Sequence, residues 1–327
     1  MSDWSPESIA ELARRFMECR IFLTGAELGL FDLLASKELT TRELVDRTGA
    51  NERGLAIVLD ALVAMGLLVK QSGRYHCEPS ASRLLATDGA APMLPMVLHS
   101  ADLWKRWSNL TEAVGGARPE SEEARLRHFI GSMDVIAQAM AGQIVACVAP
   151  SDARRLLDVG GASGTYTLAF LRAAPRMSAT LFDLPQVMEL ARERLAAAGM
   201  LERVALVPGN FHDDPLPPGH DLAFVSAIIH ANGPAQNEEL FRKVYAALVP
   251  GGRILVRDIV LSSDRTRPRA GAVMAVNWLL VSEAGNSYTF EEIKDGLERA
   301  GFERVRLVHP DTRMDGLVEG FRPVVGG

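Results

Sequence analysis

A regular alternation of short apolar runs with helix-like segments, from Arg154 onward, is the feature that most constrains the fold of this chain. Runs that are apolar on both faces are typical of parallel strands covered by helices on each side. The pattern therefore predicts an α/β fold with a mostly parallel sheet. Two last runs lie close enough in sequence to form a final antiparallel pair. In chain order, the predicted strands are LLDV, ATLFD, VALVP, AFVSAII, ILVRDIV, VRLVH and GLVEGF.

The first hundred residues carry a different pattern, of several helices closed by one hairpin. Thr40 is placed to cap a helix that ends at Gly49, and Asn51 is placed to cap the next one. Two short extended runs on either side of a Gln-Ser-Gly turn then predict a hairpin. Helix, turn, helix and hairpin in this order indicate a mainly helical winged-helix domain over residues 1–100.

A winged helix is a common DNA-binding fold, and the charge of this one argues against that role. Residues 1–100 contain ten Lys and Arg against thirteen Asp and Glu, a balance that repels phosphates. The candidate recognition helix, from Asn51 to Gly66, has an apolar stripe where a DNA-binding helix would be basic. We therefore predict no nucleic-acid partner, and we expect this helix to pack against the chain itself or a second copy.

Charge, cysteine usage and hydropathy all indicate a soluble, cytoplasmic protein with no membrane partner. The net charge is -6, which argues against binding to an anionic membrane surface. The three cysteines are far apart and form no C-x-x-C pair, so we expect reduced thiols and no metal site. The N-terminus lacks the basic and apolar regions of a secretory signal, and the stretch from Gly271 to Val281 is too short to span a membrane.

A glycine-rich turn, DVGGASG, follows the first predicted strand and leads directly into a helix, and Asp183 ends the second strand. Ligands of open α/β sheets bind at the carboxyl ends of the strands, so this turn predicts a nucleotide-type site. A dinucleotide fingerprint that begins at Gly160 needs glycines where the chain has Ala162 and Thr165. NAD is therefore disfavoured as the ligand.

A ligand without phosphates and with a cationic amino-acid tail suits this turn better, and S-adenosylmethionine is such a ligand. Asp158 opens the turn with a carboxylate, and Asp183 is placed to accept hydrogen bonds from both ribose hydroxyls. At the third strand's end, Asn210 and Phe211 are placed to meet the adenine edge and face. At the fourth, Ser226-Ala227 is placed to line the floor of the pocket.

Nearly the whole chain resembles the S-adenosylmethionine-dependent methyltransferases that carry an N-terminal dimerisation winged helix. The resemblance rests on the segments DVGGASG, LFDLP, PGNFHDDPLP, VSAIIH, VPGGRILVRDIV and NSYTFEEIKDGLERAGF. This group includes plant phenolic O-methyltransferases, acetylserotonin O-methyltransferases and bacterial natural-product methyltransferases. The resemblance implies a Rossmann-like class I methyltransferase sheet with an antiparallel last strand, and a homodimer in which exchanged N-terminal helices contribute a wall to the partner's pocket.

The resemblance also implies S-adenosylmethionine as cofactor, S-adenosylhomocysteine as product, and Leu184 as the residue beside adenine. It divides the chain into a winged-helix dimerisation domain (1–100), a helical linker and pocket roof (101–150) and a cofactor-binding methyltransferase domain (151–327). The residues expected to bind the cofactor are Asp158, Gly160, Gly161, Gly164, Asp183, Leu184, Asn210, Phe211, Ser226 and Ala227.

No general base is assigned from the sequence. The resemblance implies a catalytic histidine six residues after the position of His230, where this chain has Gln236, and the supporting glutamate is absent from the stretch 286–289. Catalysis by proximity and desolvation would survive this loss. The other candidates for the base are His230, His99 and His128.

We expect methyl transfer to oxygen or carbon of a small aromatic or polyketide-like metabolite, because flat apolar acceptors suit aromatic and thioether side chains. Two alternatives remain open: a relative that uses the cofactor for decarboxylation or hydroxylation, and a winged-helix regulator that senses S-adenosylmethionine. The predicted substrate-binding residues are Trp104, Trp107, Phe129, Met133, Met274, Asn277 and Trp278.

Overall fold

A computed structural model describes residues 4–116, 121–311 and 315–324 of the chain. The helices are α1 (Pro6–Glu27), α2 (Leu30–Leu34), α3 (Thr41–Thr48), α4 (Glu52–Ala64), α5 (Pro79–Leu85), α6 (Leu94–Trp107), α7 (Leu110–Ala113), α8 (Glu122–Val148), α9 (Thr165–Ala173), α10 (Met188–Ala197), α11 (Pro234–Ala247), α12 (Arg269–Val281) and α13 (Phe290–Arg299). The strands are β1 (Leu39–Thr40), β2 (Leu68–Gln71), β3 (Arg74–Cys77), β4 (Arg155–Val159), β5 (Ser178–Asp183), β6 (Val204–Pro208), β7 (His220–Ser226), β8 (Leu248–Asp258), β9 (Val260–Leu261), β10 (Tyr288–Thr289), β11 (Glu303–His309) and β12 (Gly316–Phe321).

The described residues form two compact units whose boundaries differ from the expected three-part division. The first unit contains residues 4–116 and also Asp264–Leu280, and the second contains the rest. The helical segment expected at 101–150 is therefore divided, because α6 packs on α1 in the first unit and α8 packs on α9 in the second. The division into two units depends on contacts between distant parts of the chain. Local sequence composition does not reveal such contacts.

The first unit contains the predicted winged helix. Thr40 caps α3 in a reciprocal capping box with Glu43, Gly49 ends that helix in the left-handed conformation, and Asn51 caps α4. β2 and β3 form the predicted hairpin, and β1 adds a third antiparallel strand on the other side of β3. The apolar stripe of α4 is buried in the core of this unit, which confirms that this face serves packing.

The segment Asp264–Leu280 is tied to the first unit by polar and apolar contacts. The Lys70 ammonium donates a 3.0 Å hydrogen bond to the Asp264 carbonyl, and the Arg269 guanidinium donates two bonds of 2.8 and 2.7 Å to the Glu18 carboxylate. Val273 of α12 lies in the same buried cluster as α4. Helix α12 therefore belongs structurally with the winged helix, although it is more than two hundred residues away in sequence from α1.

The second unit is built on a seven-stranded sheet of order β11-β12-β8-β7-β4-β5-β6. Five neighbouring strands, β8, β7, β4, β5 and β6, are parallel, and β12 is antiparallel to both β8 and β11. This confirms the predicted class I methyltransferase sheet and its antiparallel ending. Residues 312–314, in the predicted turn between β11 and β12, lie outside the described residues.

Helix α8 is long and apolar enough, by length and composition, to cross a membrane between Ala124 and Val148, which the sequence reasoning overlooked. Ala141, Ile144 and Val145 instead pack into the core of the second unit beside Tyr166. Only 22% of its most apolar window is buried inside the structure, so much of the helix surface is exposed.

Candidate active site

The glycine-rich turn after β4 has the tight shape that the sequence predicts. Gly160 adopts a φ of 66°, and a Cβ atom at this position would lie 2.5 Å from Cδ1 of Ile228. A Cβ atom on Gly161 would lie 2.7 Å from Cγ of Leu181. Gly164, with a φ of 79°, is the residue from which α9 begins. Glycine is therefore required here so that the backbone can approach its neighbours closely.

Asp158 is held inside this turn and is only 2% exposed. Its Oδ2 atom accepts a 2.5 Å hydrogen bond from the Thr167 hydroxyl on α9. Burial raises the pKa of the Asp158 carboxyl to about 7, the Thr167 hydroxyl opposes this rise, and the nearby charge of Asp183 adds to it. The carboxylate therefore braces the turn against α9, and its predicted contact with a cofactor stays a prediction.

Asp183 joins the end of β5 to the glycine-rich turn. Its Oδ2 atom accepts a 2.8 Å hydrogen bond from the Ala162 N–H, and its Oδ1 atom accepts a 2.7 Å bond from the Leu184 N–H. Burial raises the pKa of Asp183, and these two donors oppose the rise. The side chain is half-buried, so it remains within reach of a ligand that lies over the turn.

The loop after β6, residues 209–214, begins beside Asp183, since the Gly209 N–H donates a 2.9 Å bond to the Asp183 carbonyl. The Asn210 side chain is already engaged within this loop. Its Oδ1 atom accepts from the His212 N–H at 3.0 Å and its Nδ2 atom donates to Asp213 at 2.7 Å. Phe211 packs against the core of the second unit. The bonds of Asn210 use one hydrogen of Nδ2 and one lone pair of Oδ1, so the amide keeps a second donor and a second acceptor site for the predicted contact with adenine.

The ends of β4, β5, β6 and β7 thus bring the predicted cofactor residues to one edge of the sheet. At the end of β7, Ser226 is half-buried, and Ala227 adopts a φ of 55° while its N–H donates a 2.9 Å bond to the Arg257 carbonyl. The cradle of close-packed glycines and the half-buried carboxylate of Asp183 fit a nucleoside whose sugar hydroxyls donate hydrogen bonds.

A buried aspartate supports His230, immediately beyond the same edge. The Nδ1 atom of His230 lies 2.8 Å from Oδ1 of Asp258, the last residue of β8. Asp258 is 3% exposed, and its Oδ1 atom also accepts a 2.8 Å bond from the Ile259 N–H. Although burial opposes ionisation, His230 and the Ile259 N–H together lower the pKa of Asp258. Asp258 is not among the site residues predicted from the sequence. Its place at the end of a predicted parallel strand could have indicated a site residue.

The segment that carries His230 is fixed by buried amides. The side chain of Asn232 donates to that of Asn237 at 3.1 Å, and Asn237 donates in turn to the Ile229 carbonyl at 3.0 Å. The Tyr288 hydroxyl donates to the Asn232 carbonyl, and the Asn286 N–H donates to the His230 carbonyl at 2.9 Å. The stretch 286–289, where the expected glutamate is absent, therefore positions His230 through the backbone.

Gln236 caps the start of a helix. It lies in the first turn of α11, and its Oε1 atom accepts a 2.8 Å hydrogen bond from the Gly233 N–H. This contact satisfies one of the free donors at the start of the helix. The other candidate bases, His99 on α6 and His128 on α8, are both exposed.

Asp134, which the sequence reasoning also missed, ties α8 to the glycine-rich turn. Its carboxylate accepts hydrogen bonds from the Thr165 hydroxyl and, at 3.3 Å, from the Ser163 hydroxyl, and it forms an ion pair with Arg194 of α10. Burial opposes its ionisation, but the Arg194 guanidinium and the hydrogen bonds from the side chains of Thr165 and Gln138 together lower the pKa of Asp134. Asp134 and Asp183 therefore hold the turn together with Asp158.

The predicted substrate residues are divided between the two units, so the predicted acceptor pocket stays a prediction. The first unit contains a cavity of about 330 Å³, between α1 and α12, that Asn277 lines together with Phe16 and Val276. Trp107 is 69% exposed and Phe129 is 62% exposed. The first unit holds Trp104, Trp107, Met274, Asn277 and Trp278, and the second holds Phe129 and Met133.

Comparison with known proteins identifies the family. A sequence model of the O-methyltransferase domain matches residues 108–303, and a model of the O-methyltransferase dimerisation domain matches residues 10–87. The chain belongs to the O-methyltransferase family. This confirms the resemblance stated from the sequence, and it makes the protein an S-adenosylmethionine-dependent methyltransferase.

Bacterial relatives of the methyltransferase align along nearly its whole length. It is 32% identical to the 3-hydroxy-5-methyl-1-naphthoate 3-O-methyltransferase of Streptomyces sahachiroi, over 97% of this chain and 95% of that protein. It is 33% identical to the tetracenomycin polyketide synthesis 8-O-methyl transferase TcmO of Streptomyces glaucescens, over 94% of this chain and 95% of that protein.

The fold of the methyltransferase is also that of solved relatives. An O-methyltransferase family 2 protein from Planctomyces limnophilus, crystallised with apigenin, superposes with a TM-score of 0.83 at 26% identity, covering 98% of this chain and 97% of that one. The dimerisation-domain match supports a homodimer, and the methyltransferase domain implies a small-molecule substrate.

Proposed function

We propose that this methyltransferase transfers a methyl group to a hydroxyl oxygen of a small aromatic or polyketide-like metabolite, with His230 as the general base. The observation that carries the proposal is the contact between His230 and Asp258 at the sheet edge where the predicted cofactor residues meet. Two bacterial relatives, a naphthoate 3-O-methyltransferase and a tetracenomycin 8-O-methyl transferase, support oxygen as the acceptor atom and a fused aromatic ring as the acceptor class.

Asp258 prepares His230 to accept a proton. Because Nδ1 faces the buried carboxylate, the neutral ring keeps its proton on Nδ1, and Nε2 is the nitrogen that receives the proton of the acceptor hydroxyl. Asp258 stays ionised as its lowered pKa requires, so its charge stabilises the imidazolium that forms. The expected rate advantage of such a base is roughly 10²- to 10⁴-fold.

The residues at the strand ends hold the donor. S-adenosylmethionine, when bound, supplies an electrophilic methyl group on a sulfonium. In this proposal the glycine-rich turn receives its amino-acid end, Asp183 binds the ribose hydroxyls, and Leu184 and Phe211 lie beside the adenine. Ser226 and Ala227 line the floor of the pocket. A donor that loses its positive charge in the reaction benefits from a site that excludes water.

Transfer of an isotopically labelled methyl group tests the proposal. The purified protein is incubated with labelled S-adenosylmethionine and a hydroxynaphthoate, and the matched control acceptor is the methyl ether of the same ring. Label is expected in an O-methyl product of the free phenol alone. Loss of the carboxyl group or gain of a hydroxyl without label would instead support the alternative chemistries, and no affinity for the donor would overturn the assignment.

In the same proposal, the protein is a cytoplasmic homodimer. N-terminal helices of the second subunit complete each substrate pocket. The support is an exposed apolar stripe on α1, where Ile9, Leu12 and Phe16 are each at least 50% exposed. Sedimentation in dilute buffer should give a mass near twice 35.5 kDa. A stable monomer with full activity would contradict this part of the proposal.

A further inference from the structure

A single lysine on α11 holds the carbonyl groups of the loop that follows β6. The Nζ atom of Lys243 donates hydrogen bonds of 2.9, 2.7 and 3.1 Å to the carbonyl oxygens of Phe211, His212 and Asp214. An ammonium group has three donors, so these bonds use all of them. Lys243 is itself half-buried, and it reaches this loop from a helix that lies about thirty residues further along the chain.

The N–H groups of residues 210 and 212–214 have acceptors within the same loop. Asp214 accepts a 2.8 Å bond from the Asn210 N–H, and the Asn210 carbonyl accepts bonds of 3.0 and 2.7 Å from the N–H groups of Asp213 and Asp214. The carbonyls of Phe211 and His212 have Lys243 as their partner instead. The shape of the loop therefore depends on two sets of contacts, one inside it and one from Lys243.

This loop is adjacent to the proposed ribose ligand. Gly209 bonds to the Asp183 backbone, and a Cβ atom at Gly209 would lie 2.5 Å from the Phe182 ring, so the loop leaves the sheet in close contact with β5. We propose that Lys243 is a positioning residue that fixes residues 209–214 in the shape that receives the adenine end of the cofactor. The inference rests on the cofactor placement proposed above.

If Lys243 only stabilised the fold, its loss would lower stability without a specific effect on cofactor binding. Two of its three hydrogen bonds lie at the exposed surface, where water can replace the ammonium at little cost to the folded state. Water would satisfy the carbonyls singly and would not hold them in a fixed relation to one another. Loss of the ammonium should therefore weaken cofactor binding more than it lowers the stability of the fold.

The test compares Lys243→Met with Arg242→Met, which removes one positive charge from the adjacent position of the same helix. Arg242 pairs only with Glu238 and Glu239 among the contacts described for it. Calorimetry with S-adenosylhomocysteine should show a Kd raised by roughly five- to twenty-fold in Lys243→Met and by less than about twofold in Arg242→Met. Lys243→Arg, which keeps a charged donor, should recover part of the affinity.

Steady-state kinetics and melting separate the positioning role from a structural one. In Lys243→Met the KM for S-adenosylmethionine should rise while kcat at saturating donor and the KM for the acceptor stay within about twofold. A lowered melting temperature with an unchanged Kd would overturn the proposal. Asp183→Ala serves as the reference: if Asp183→Ala weakens binding and Lys243→Met does not, only the role of Lys243 fails, and if neither does, the cofactor placement itself fails.

Discussion

The carboxylate of Asp183 accepts a 2.8 Å hydrogen bond from the backbone N–H of Ala162, across the gap between β5 and the glycine-rich turn. Ala162 has a φ of 47°, an uncommon conformation for a residue with a side chain. The hydrogen bond offsets part of the cost of this conformation. Asp183 therefore has two duties, the shape of the turn and the proposed contact with the ribose.

Asp183→Ala should weaken S-adenosylhomocysteine binding by about 1.5–3 kcal/mol, because hydrogen bonds to a charged acceptor are lost. Calorimetry measures the change directly. Asp183→Asn keeps one acceptor oxygen and should fall between the wild type and Asp183→Ala. An affinity unchanged in both variants would remove Asp183 from the site.

His230→Ala should lower kcat by about 10²- to 10⁴-fold while the Kd for S-adenosylhomocysteine stays unchanged, because the proposed base acts on the acceptor. Asp258→Asn should lower kcat in the same direction, since it removes the charge that orients the ring. Initial rates at saturating donor give the comparison.

Gln236→Ala provides the matched control for His230. Loss of the Gln236 side chain removes the hydrogen bond from the Gly233 N–H at the start of α11, so the free energy of unfolding should fall by roughly 0.5–2 kcal/mol. The value of kcat should change by less than about threefold. A large loss of kcat in Gln236→Ala, with His230→Ala nearly active, would reverse the proposed roles.

Asp158 should make stability depend on pH. Burial raises its pKa to about 7 in the folded protein, against about 3.9 in an unfolded chain. The folded state keeps a proton that the unfolded state has lost, so this group lowers the free energy of unfolding as pH rises from about 4 to 7. Denaturant unfolding of Asp158→Asn over this window should lack that decline, and parallel curves for variant and wild type would refute the assignment.

Gly160→Ala should destabilise the fold by at least about 1 kcal/mol, because an alanine is strained at positive φ. The new Cβ would also lie 2.5 Å from Cδ1 of Ile228. Adding Ile228→Ala to Gly160→Ala removes that clash but leaves the backbone strain. The second substitution should therefore recover only part of the stability that Gly160→Ala loses. Thermal melting of the two single variants and the double variant tests this coupling, and simple additivity would contradict it.

Local signals in the sequence predict much of this fold. Thr40 and Asn51 cap helices with their side chains, and Gly49 ends a helix because it lacks one. The alternation after Arg154 predicts the sheet. These features act within a few residues of chain. The family resemblance, which rests on whole segments, is likewise confirmed.

Features that depend on distant partners could not be predicted in this way. Asp258 approaches His230 only because β7 and β8 are neighbours in the sheet, and the Asn210 amide is engaged by a loop whose shape depends on Lys243. The return of α12 to the first unit depends on Glu18 and Lys70, which lie far from it in sequence.

That return has a consequence for how the protein is made. Val273 of α12 completes the same buried cluster as Leu59 and Leu62 of α4. During synthesis, the winged helix emerges from the ribosome long before α12 does, so this cluster stays incomplete until most strands of the methyltransferase sheet have been translated. An isolated N-terminal fragment that lacks α12 should consequently expose part of this cluster and tend to aggregate.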